Sequence, residues 1–373
     1  MTYRPVILLG NGVRDNPELI KHLCGLNIPV LLTWPALDYL DENDPVFCGR
    51  PGILGQRHAN IIQQKATHLY CFGARLDGEQ VSYDYENFGH NAEILVCDID
   101  PNEFKKFPYL GRYHAMGADH ASLIERGSDE WLAWCKNLQC RFRSELDGKV
   151  DTNGKFVDPF YFMNLLSETG RSEDVFAVGS SGNAATMFMQ TFKAKKGQRV
   201  SNVSGIGAMG ADIPMALGAA MATDRRTICV TGDGGFQLNT QELETIRRLH
   251  LPITFFVINN DGYQSIRSMQ DTRYNGRRVG SDYNSGLTLP RIEDIAAAYG
   301  LQYKSLRNKD LPVDLNKYMG SFPCVVEVFT DPNWKQLPRV VSTMSADGLY
   351  KSDPMERMFP YLPDDELKAI MEW

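Results

Sequence analysis

Short apolar runs alternate with amphipathic, helix-like stretches along most of the chain, and the alternation falls into two blocks. The first block extends from about Pro5 to Gly127. Its strands are predicted at four β-branched or apolar runs: Val6–Leu9, Pro29–Leu32, His68–Phe72 and Glu93–Cys97. Strands that alternate with helices are typical of a parallel sheet covered by helices on both faces. The pattern therefore predicts a doubly wound α/β domain over residues 1–137.

The second block begins near Asp158 and repeats the alternation. Its strands are predicted at Val175–Val178, Thr227–Thr231, Ile253–Ile258 and Val325–Phe329, and its helices at Pro159–Thr169, Pro214–Ala222, Gln237–Leu249 and Ile292–Tyr299. We expect a second doubly wound, parallel-sheet α/β domain over residues 158–332. The polar, charged and glycine-containing stretch 138–157 predicts a linker. Residues 333–373, rich in proline, methionine and charge, predict a C-terminal tail.

The composition narrows the classes of protein that fit this pattern. A hydrophobic fraction of 43% and a charged fraction of 23% are ordinary for a soluble globular protein. The net charge of −7 argues against a nucleic-acid surface. No apolar run approaches the roughly 20 residues of a membrane helix, and the first residues have no signal-peptide core. We therefore expect neither a nucleic-acid partner nor a membrane partner.

The cysteines and histidines indicate a reducing compartment and no zinc site. The 8 cysteines include no CxxC pair. Four of them lie inside apolar strand-like runs: Cys71, Cys97, Cys229 and Cys324. We expect buried, reduced thiols and a cytoplasmic protein. The 7 histidines are scattered, with no HExxH motif, which argues against zinc.

The segment from Thr227 to Gly262 carries the candidate chemistry. A buried strand is followed by the turn Gly232-Asp233-Gly234-Gly235, then by a helix and a second strand that ends at Asn259-Asn260-Asp261-Gly262. A βαβ crossover makes the two strands parallel, so both loops leave the same carboxyl edge of the sheet. This geometry predicts that Asp233 and Asn260 lie close together. Each motif alone would be an ordinary turn.

The residue types at this edge predict a site for a metal-bound diphosphate. A carboxylate and an amide oxygen are hard ligands that suit Mg²⁺ or Ca²⁺. Mg²⁺ takes few protein ligands and completes its octahedron with phosphate and water. The glycines allow backbone N–H groups to approach a diphosphate at the start of the helix, where the helix dipole favours anions.

This segment resembles the cofactor motif of the thiamine diphosphate (ThDP)-dependent enzymes, GDG followed after a helix and a strand by NN. The stretches Gly232–Leu243 and Gly205–Gly210 resemble the acetolactate synthase and pyruvate decarboxylase branch. The run from Asn259 through Arg267 to Gln270 most resembles acetolactate synthase-like proteins, including those from bacterial surface-sugar pathways. The first block resembles the central domain of the family, and the likeness covers nearly the whole chain.

The resemblance implies roles for individual residues. Asp233, the Asn260 side chain and the Gly262 carbonyl would bind Mg²⁺. The loop Gly179–Asn183 and the Gly234-Gly235 backbone would hold the diphosphate, although Ser180 and Ser181 could equally be turn residues. The residues implied for cofactor binding lie on these loops and on their neighbours: Ser180, Ser181, Gly182, Gly207, Met209, Gly232, Asp233, Gly234, Gly235, Asn260, Gly262, Tyr263 and Gln264.

Two further residues are implied in catalysis. Met209 matches the bulky apolar residue that forces the cofactor into a V shape, and the Gly207 carbonyl would accept a hydrogen bond from the 4′-amino group. A plain core methionine is the alternative for Met209. The resemblance implies decarboxylation of a 2-oxo acid, followed by release of an aldehyde or by addition to a second carbonyl. Gln264, Ser265 and Arg267 could face the substrate, with Arg267 holding a carboxylate or phosphate; a surface salt bridge is an equal alternative for Arg267.

The family normally places a pyrimidine-binding domain, with its activating glutamate, before the central domain, and no segment of this sequence resembles it. The resemblance therefore implies a partner subunit or segment that supplies this domain, around a homodimer core within a hetero-oligomer. A split gene and a fragment of a longer protein are both open. The alternatives are a non-ligating decarboxylase subunit and a non-catalytic regulatory subunit.

Two features outside the main motif remain as expectations. In acetolactate synthases the central domain helps bind FAD, and Gly10-Asn11-Gly12 and Gly73-Ala74-Arg75 could approach such a nucleotide. Ordinary strand-to-helix turns are the favoured interpretation of these short glycine motifs. The tail 333–373 resembles the family's C-terminal lid, and its apolar residues could cover an active site or pack on a neighbouring chain: Trp334, Leu337, Met344 and Leu349.

Overall fold

The computed structural model describes residues 2–107, 111–150, 154–345 and 348–373. The chain divides into two compact units. The first contains the chain up to Glu145 together with Gln336–Trp373, and the second contains Leu146–Lys335. Each unit is built on its own parallel sheet, which confirms the prediction of two parallel-sheet α/β domains.

In the first unit, the described residues form one parallel sheet of five strands: β1 (Pro5–Leu9), β2 (Val30–Leu32), β3 (His68–Phe72), β4 (Glu93–Cys97) and β5 (Tyr113–Ala115). Their order across the sheet is β2-β1-β3-β4-β5. The helices here are α1 (Pro17–Cys24), α2 (Arg57–Lys65) and α3 (Asp129–Phe142). Every residue of β1 is buried, as expected for a central strand covered on both faces.

The two glycine motifs of this unit pack on each other at the carboxyl ends of β1 and β3. A Cβ atom added to Gly10 would lie 2.1 Å from the Gly73 carbonyl oxygen, and the Gly12 N–H donates to that oxygen at 3.0 Å. Only glycine allows so close an approach of two backbones. This close packing accounts for the glycines of both motifs. The first motif leads from β1 into the 3₁₀ helix Asn11–Val13, whereas the described residues that follow β3 form turns and no helix before β4.

In the second unit, six parallel strands are found among the described residues: β6 (Val175–Val178), β7 (Arg199–Ser201), β8 (Thr227–Gly232), β9 (Ile253–Asn259), β10 (Gln302–Leu306) and β11 (Cys324–Phe329). Their order is β10-β11-β9-β8-β6-β7. The helices are α4 (Pro159–Thr169), α5 (Gly182–Thr191), α6 (Asp212–Ala222), α7 (Asp233–Phe236), α8 (Glu242–Arg248), α9 (Gln264–Arg273) and α10 (Ile292–Ala298).

The core of the second unit forms around the central strands. β8 and β9 are buried along their length except at the last residue of each. Apolar side chains of α6 and α8 pack against them, including Ile213 and Ile246. Asp158 caps α4 by accepting the Tyr161 N–H, and Pro159 occupies the first turn, which explains why this helix begins where the sequence predicts.

The last part of the chain packs on the first unit. It contains the antiparallel hairpin β12 (Ser342–Met344) and β13 (Tyr350–Ser352) and the helix α11 (Asp364–Glu372). The Trp373 ring stacks on Trp134 with ring centroids 4.9 Å apart, and Arg57 donates to the carbonyls of Met358 and Pro360. Short 3₁₀ helices connect many of the main elements: Asn11–Val13, Trp34–Ala36, Pro101–Lys106, Ala118–Leu123, Arg143–Leu146, Tyr283–Ser285, Asn308–Asp310 and Leu315–Tyr318.

The structure departs from the predicted bounds of the linker, of the tail and of one helix. The predicted linker 138–157 begins too early, because α3 continues to Phe142 and buries Leu138 in the first unit; residues 151–153 of that linker lie outside the described residues. The predicted tail 333–373 divides, because residues up to Lys335 belong to the second unit and the rest to the first. Of that tail, residues 346–347 lie outside the described residues.

The third difference is the predicted helix Gln237–Leu249, which begins only at Glu242. Asn239 has a positive φ of 61°, and its side-chain amide donates to the Gly210 carbonyl at 3.0 Å. This bond ties the segment before α8 to the loop after β7, so the segment forms a turn instead of a helix.

The cysteine prediction is confirmed in part. All 8 thiols are free, and Cys71, Cys229 and Cys324 are buried. Cys97 is only partly buried. No helix of the described chain is both long and apolar enough to cross a membrane.

A buried ion pair joins the starts of β6 and β8 and gives a test of the second unit. Arg226 donates two bonds to Asp174, Nε to Oδ1 at 2.7 Å and Nη2 to Oδ2 at 2.6 Å, and the Asp174 side chain is fully buried. We expect Arg226→Met to lower the free energy of unfolding by about 3–5 kcal/mol, because it leaves a buried carboxylate without its partner. Urea unfolding followed by circular dichroism measures this. Arg247→Met, which breaks an exposed pair with Glu244, is the control and should change little. Equal effects of the two substitutions would contradict the prediction.

Candidate functional site

The candidate site lies where the strand order of the second sheet changes direction. The chain passes from β6 outward to β7 and then returns to β8 on the other side of β6. Open α/β sheets bind ligands at such switch points, beyond the carboxyl ends of the strands. The loops after β6 and β8 leave neighbouring strands there, and Gly232 at the end of β8 pairs with Ile258 of β9. The predicted edge is therefore present.

The Asp233 carboxylate ties the turn Asn259–Gly262, the candidate metal-binding turn, to the end of β8. Its Oδ1 accepts the Gly234 N–H at 2.7 Å, and its Oδ2 accepts the N–H groups of Gly262 at 2.9 Å and Asn260 at 3.2 Å. Burial raises the pKa of Asp233 to about 6, against the opposing effect of these N–H groups and of Arg267. A divalent cation beside this carboxylate would favour its charged form.

The Asn260 side chain presents an unsatisfied oxygen at the same edge. Asn260 is 6% exposed, and its Nδ2 donates to Gln264 Oε1 at 2.9 Å. No group among the described residues donates to Asn260 Oδ1. A buried oxygen without a donor is rare and costly, and a hard cation would satisfy it. Asp233, Asn260 Oδ1 and the Gly262 carbonyl therefore fit an oxygen-binding cation. The described residues contain no cluster of three or more His, Cys, Asp or Glu side chains that could hold a metal instead.

Arg267 holds the candidate metal-binding turn from inside the protein. It is 4% exposed, and its guanidinium donates to the carbonyls of Asn260 and Asp261 at 2.6 Å each. It also donates to the carbonyls of Ser281 and Pro332 at 3.2 Å. Four backbone carbonyls accept hydrogen bonds from the guanidinium, and the alternative of a surface salt bridge is wrong because the side chain is buried. The substrate contact of Arg267 stays a prediction.

Asn259 is fixed by a second polar network. Its Nδ2 donates to Glu327 Oε1 at 2.5 Å, and its Oδ1 accepts the Asp261 N–H at 2.9 Å. The Tyr303 hydroxyl donates to the other oxygen of Glu327. Asn259, Glu327 and Tyr303 line a cavity of about 520 Å³ within the second unit, and Asp233 and Gly262 line the same cavity. The first asparagine of the pair thus positions the turn, and the second faces the candidate cation site.

The loop after β6 has the features expected of a diphosphate cradle. Ser180 is buried, and its Oγ accepts the Val203 N–H at 3.3 Å. Ser181 precedes α5 without a side-chain capping bond, which leaves the first amides of this helix available. Gly182 has φ of 72°, and a Cβ there would meet no atom within 4 Å; the same space surrounds a Cβ at Gly232. The loops after β6 and β8 therefore border open space.

Two family models match the chain. The thiamine pyrophosphate enzyme C-terminal TPP binding domain matches residues 180–328, and the thiamine pyrophosphate enzyme central domain matches residues 2–114. Thiamine pyrophosphate is another name for ThDP. The first match contains the candidate site from Ser180 onward. The chain belongs to the thiamine pyrophosphate enzymes.

The relatives of this ThDP-family chain include acetolactate synthase large subunits. It is 26% identical over 333 residues to the large subunit of Cyanidium caldarium, covering 85% of this chain and 56% of that one. It is 28% identical over 349 residues to the isozyme 1 large subunit of Escherichia coli (strain K12), covering 90% and 60% respectively. The chain thus spans little more than half the length of these relatives.

The loop Gly205–Gly210 of this ThDP-family chain reaches the candidate site through Met209. The Met209 methyl carbon lies 3.2 Å from the position of a Cβ on Gly234, and the Tyr263 ring lies 2.4 Å from it. Met209 is 40% exposed, so the alternative of a plain core methionine does not hold. Gly207, with φ of 65°, is exposed on the same loop. Tyr263 and Met209 therefore flank the predicted diphosphate-binding turn.

Asp212 is a polar residue of the site that the sequence analysis missed. This carboxylate is 2% exposed, and burial raises its pKa, opposed by a hydrogen bond from Thr231. Its Oδ2 lies 3.2 Å from the position of a Cβ on Gly235 and 3.6 Å from one on Gly179. Asp212 therefore lies beneath both predicted diphosphate loops. The available signal was its position two residues after the glycine-rich loop, at the start of α6.

The close packing at Gly234 generates a prediction. We expect Gly234→Ala to lower the free energy of unfolding by about 1–3 kcal/mol, because the added methyl group overlaps the Tyr263 ring. Gly218→Ala is the matched control, since a Cβ there meets nothing within 4 Å and the residue lies inside α6. This control should stabilise the protein by about 0.5–1 kcal/mol. Urea unfolding measures the free energy of unfolding of both variants. Stabilisation by Gly234→Ala would contradict the prediction and show that the packing around Gly234 is looser than described.

Proposed function

We propose that this chain is the catalytic subunit, or a fragment, of a ThDP- and Mg²⁺-dependent, acetolactate synthase-like enzyme. In this proposal the enzyme decarboxylates a 2-oxo acid such as pyruvate and transfers the acyl group to a carbonyl acceptor. The observation that carries the proposal is the pairing of a buried carboxylate, Asp233, with the unsatisfied oxygen of Asn260 on adjacent loops. The relatives named acetolactate synthase support the choice of reaction.

Each residue of the site has a defined task in this proposal. Asp233, Asn260 Oδ1 and the Gly262 carbonyl hold Mg²⁺, which neutralises the diphosphate. The amides of Gly234 and Gly235 and of the loop Ser180–Gly182 bind its oxygens. Bound ThDP supplies the carbon nucleophile and the electron sink for decarboxylation.

Met209 and Gly207 act on the organic part of the cofactor. Met209 would pack against bound ThDP, and the Gly207 carbonyl would accept a hydrogen bond from its amino group. Both lie on a loop of exposed backbone, and Gly207 requires a positive φ that glycine adopts without strain. Their contribution is positioning of reacting atoms, which can supply a large share of a rate enhancement.

Exposed apolar side chains beside the site support a partner that covers it. Val203, Ile206 and Met209 are 36%, 84% and 40% exposed, and they lie on one loop after β7. Apolar groups at the mouth of a cofactor site mark an interaction surface. We infer that a pyrimidine-binding domain, from a separate subunit or segment, covers this loop and supplies the activating glutamate, with a homodimer core inside a hetero-oligomer.

The metal site is tested by binding. Asp233→Ala should weaken Mg²⁺ binding in the presence of ThDP by more than about 100-fold, since even residues behind metal ligands typically cost 10–100-fold. Isothermal titration calorimetry of the purified chain measures this, and Asp233→Asn keeps a hydrogen-bond acceptor in case the alanine variant unfolds. Asp294→Ala removes a carboxylate that is 64% exposed and should bind as the unaltered chain does. Unchanged Mg²⁺ affinity in both Asp233 variants would refute the proposed site.

The need for a partner is tested by activity. The chain mixed with ThDP, Mg²⁺ and pyruvate should release no CO₂ above the rate without protein, because the activating half of the site is absent. Release of CO₂ by the chain alone would contradict the partner proposal. With the partner added, acetohydroxy acid or acyloin supports the carboligase, and aldehyde alone supports a non-ligating decarboxylase. Full activity of the Asp233→Ala complex would instead support a regulatory subunit.

A further inference from the structure

The amide of Asn260 must present its oxygen to a cation, because the nitrogen end of an amide carries two hydrogens and no available lone pair. An asparagine side chain can place either end toward a given point by rotating half a turn. In a buried site the choice is made by the groups that contact the other end. The partners of Asn260 therefore decide whether the site can bind a metal.

Two linked hydrogen bonds fix the orientation of the Asn260 amide. The Trp334 carbonyl can only accept, so Gln264 turns its Nε2 toward it, at 2.5 Å. The Gln264 Oε1 then faces the opposite way and accepts Asn260 Nδ2 at 2.9 Å. Asn260 Oδ1 is left without a donor. Reversal of either amide would place two donors or two acceptors against each other.

The Trp334 carbonyl, which begins this series of hydrogen bonds, lies in a segment that is held firmly. The Trp334 ring packs edge-on against Phe160 with centroids 5.0 Å apart, and its indole hydrogen-bonds the Asp158 carboxylate. The Trp334 N–H donates to the Asp331 carbonyl at 3.0 Å, and Arg267 bonds the carbonyl of Pro332 nearby. Gln264 itself is 5% exposed, so water does not compete freely for its amide.

We propose that Gln264 is a positioning residue for the cation site, which sets the polarity of the Asn260 amide so that Oδ1 faces the metal. The inference rests on the proposed function, because it requires Asn260 to be a metal ligand. It departs from the sequence-based expectation that Gln264 touches the cofactor or the substrate. The two bonds of Gln264 occupy both ends of its amide and point it at Asn260 and at the backbone.

A merely structural role is the competing explanation: Gln264 could serve only to tie α9 to the segment at Trp334. Two substitutions separate the explanations. Gln264→Met keeps the length of the side chain and removes both bonds. Gln264→Glu keeps an acceptor for Asn260 Nδ2 and loses the donor to Trp334. A tie to Trp334 is lost in both variants, whereas the polarity of Asn260 is lost only with methionine.

The measurement is Mn²⁺ binding to the full chain at saturating ThDP, followed by electron paramagnetic resonance of the free ion. We expect Gln264→Met to weaken Mn²⁺ binding by about 10–100-fold, the usual effect of removing a group that orients a metal ligand. Gln264→Glu should recover most of that loss. If Gln264→Glu binds as weakly as Gln264→Met, the polarity role is overturned.

A second comparison, made in a chain that carries Asn260→Asp, avoids the added charge of Gln264→Glu. Aspartate at position 260 offers an oxygen in either orientation, so its polarity needs no partner. In the Asn260→Asp chain, Gln264→Met should change Mn²⁺ affinity by less than about threefold. Such coupling between two substitutions is the expected sign that one residue acts through the other. An equal loss in both backgrounds would show a structural role and overturn the inference.

The outcomes also separate this inference from the function on which it rests. Absence of Mn²⁺ binding by the unaltered chain with ThDP would overturn the cation site, and the inference with it. Tight binding by the unaltered chain and equally tight binding by Gln264→Met would overturn the inference alone. Circular dichroism of each variant, taken at the temperature of the titration, confirms that the compared chains are folded.

Discussion

The Asp233 carboxylate, with its three backbone N–H bonds, is the interaction on which the rest of the site depends. It joins the end of β8 to the turn that follows β9, two strands that the fold places side by side. A buried carboxylate is several kcal/mol unfavourable unless donors or cations compensate it. The N–H groups compensate it in part, and the proposed Mg²⁺ would complete the compensation. The left-handed conformations of Asp261 and Gly262, at φ of 59° and 113°, follow from bending the turn back to this one acceptor.

The backbone of the same turn is arranged so that few of its carbonyls remain for a cation. The Asn259 carbonyl accepts the Thr330 N–H at 2.9 Å, and Arg267 occupies the carbonyls of Asn260 and Asp261. The Gly262 carbonyl accepts the Gln264 N–H at 3.1 Å and keeps its second lone pair within reach of the site. The positive charge of Arg267 therefore stabilises the turn from inside without competing for the ligand oxygens. The carbonyls of one short loop are thus divided: those of Asn260 and Asp261 bind the buried Arg267 guanidinium, and that of Gly262 remains for the candidate metal site.

The parts of the fold that the sequence predicts are those whose burial is uniform. β8 and β9 are continuous apolar runs because both faces are covered, and their predicted bounds agree with the structure to within one residue. The edge strands β7 and β10 carry polar residues that are partly buried in β7 and mostly exposed in β10, so no apolar run marks them. The contacts of the site residues are likewise not predicted by apolar patterning. Spacing alone placed Gln264 and Arg267 after the motif, but their contacts depend on which face of α9 turns inward. They are three positions apart and both buried, so this helix buries a polar face, which hydrophobic periodicity does not detect.

The contrast between the two sides of the predicted cofactor site links assembly to cofactor binding. On the candidate metal side, the described hydrogen bonds of Asp233, Asn260 and Arg267 are made inside the second unit, and Asn260 Oδ1 is left without a donor. The Met209 side leaves Ile206 84% and Met209 40% exposed. Covering a large apolar side chain contributes about 1.5–3 kcal/mol, so a partner that covers this loop would stabilise it as well as complete the site. A cofactor held between the loop and the partner would bind the assembled state more tightly than the separate chain. By linkage, ThDP and Mg²⁺ would then favour assembly to the same extent that assembly favours their binding.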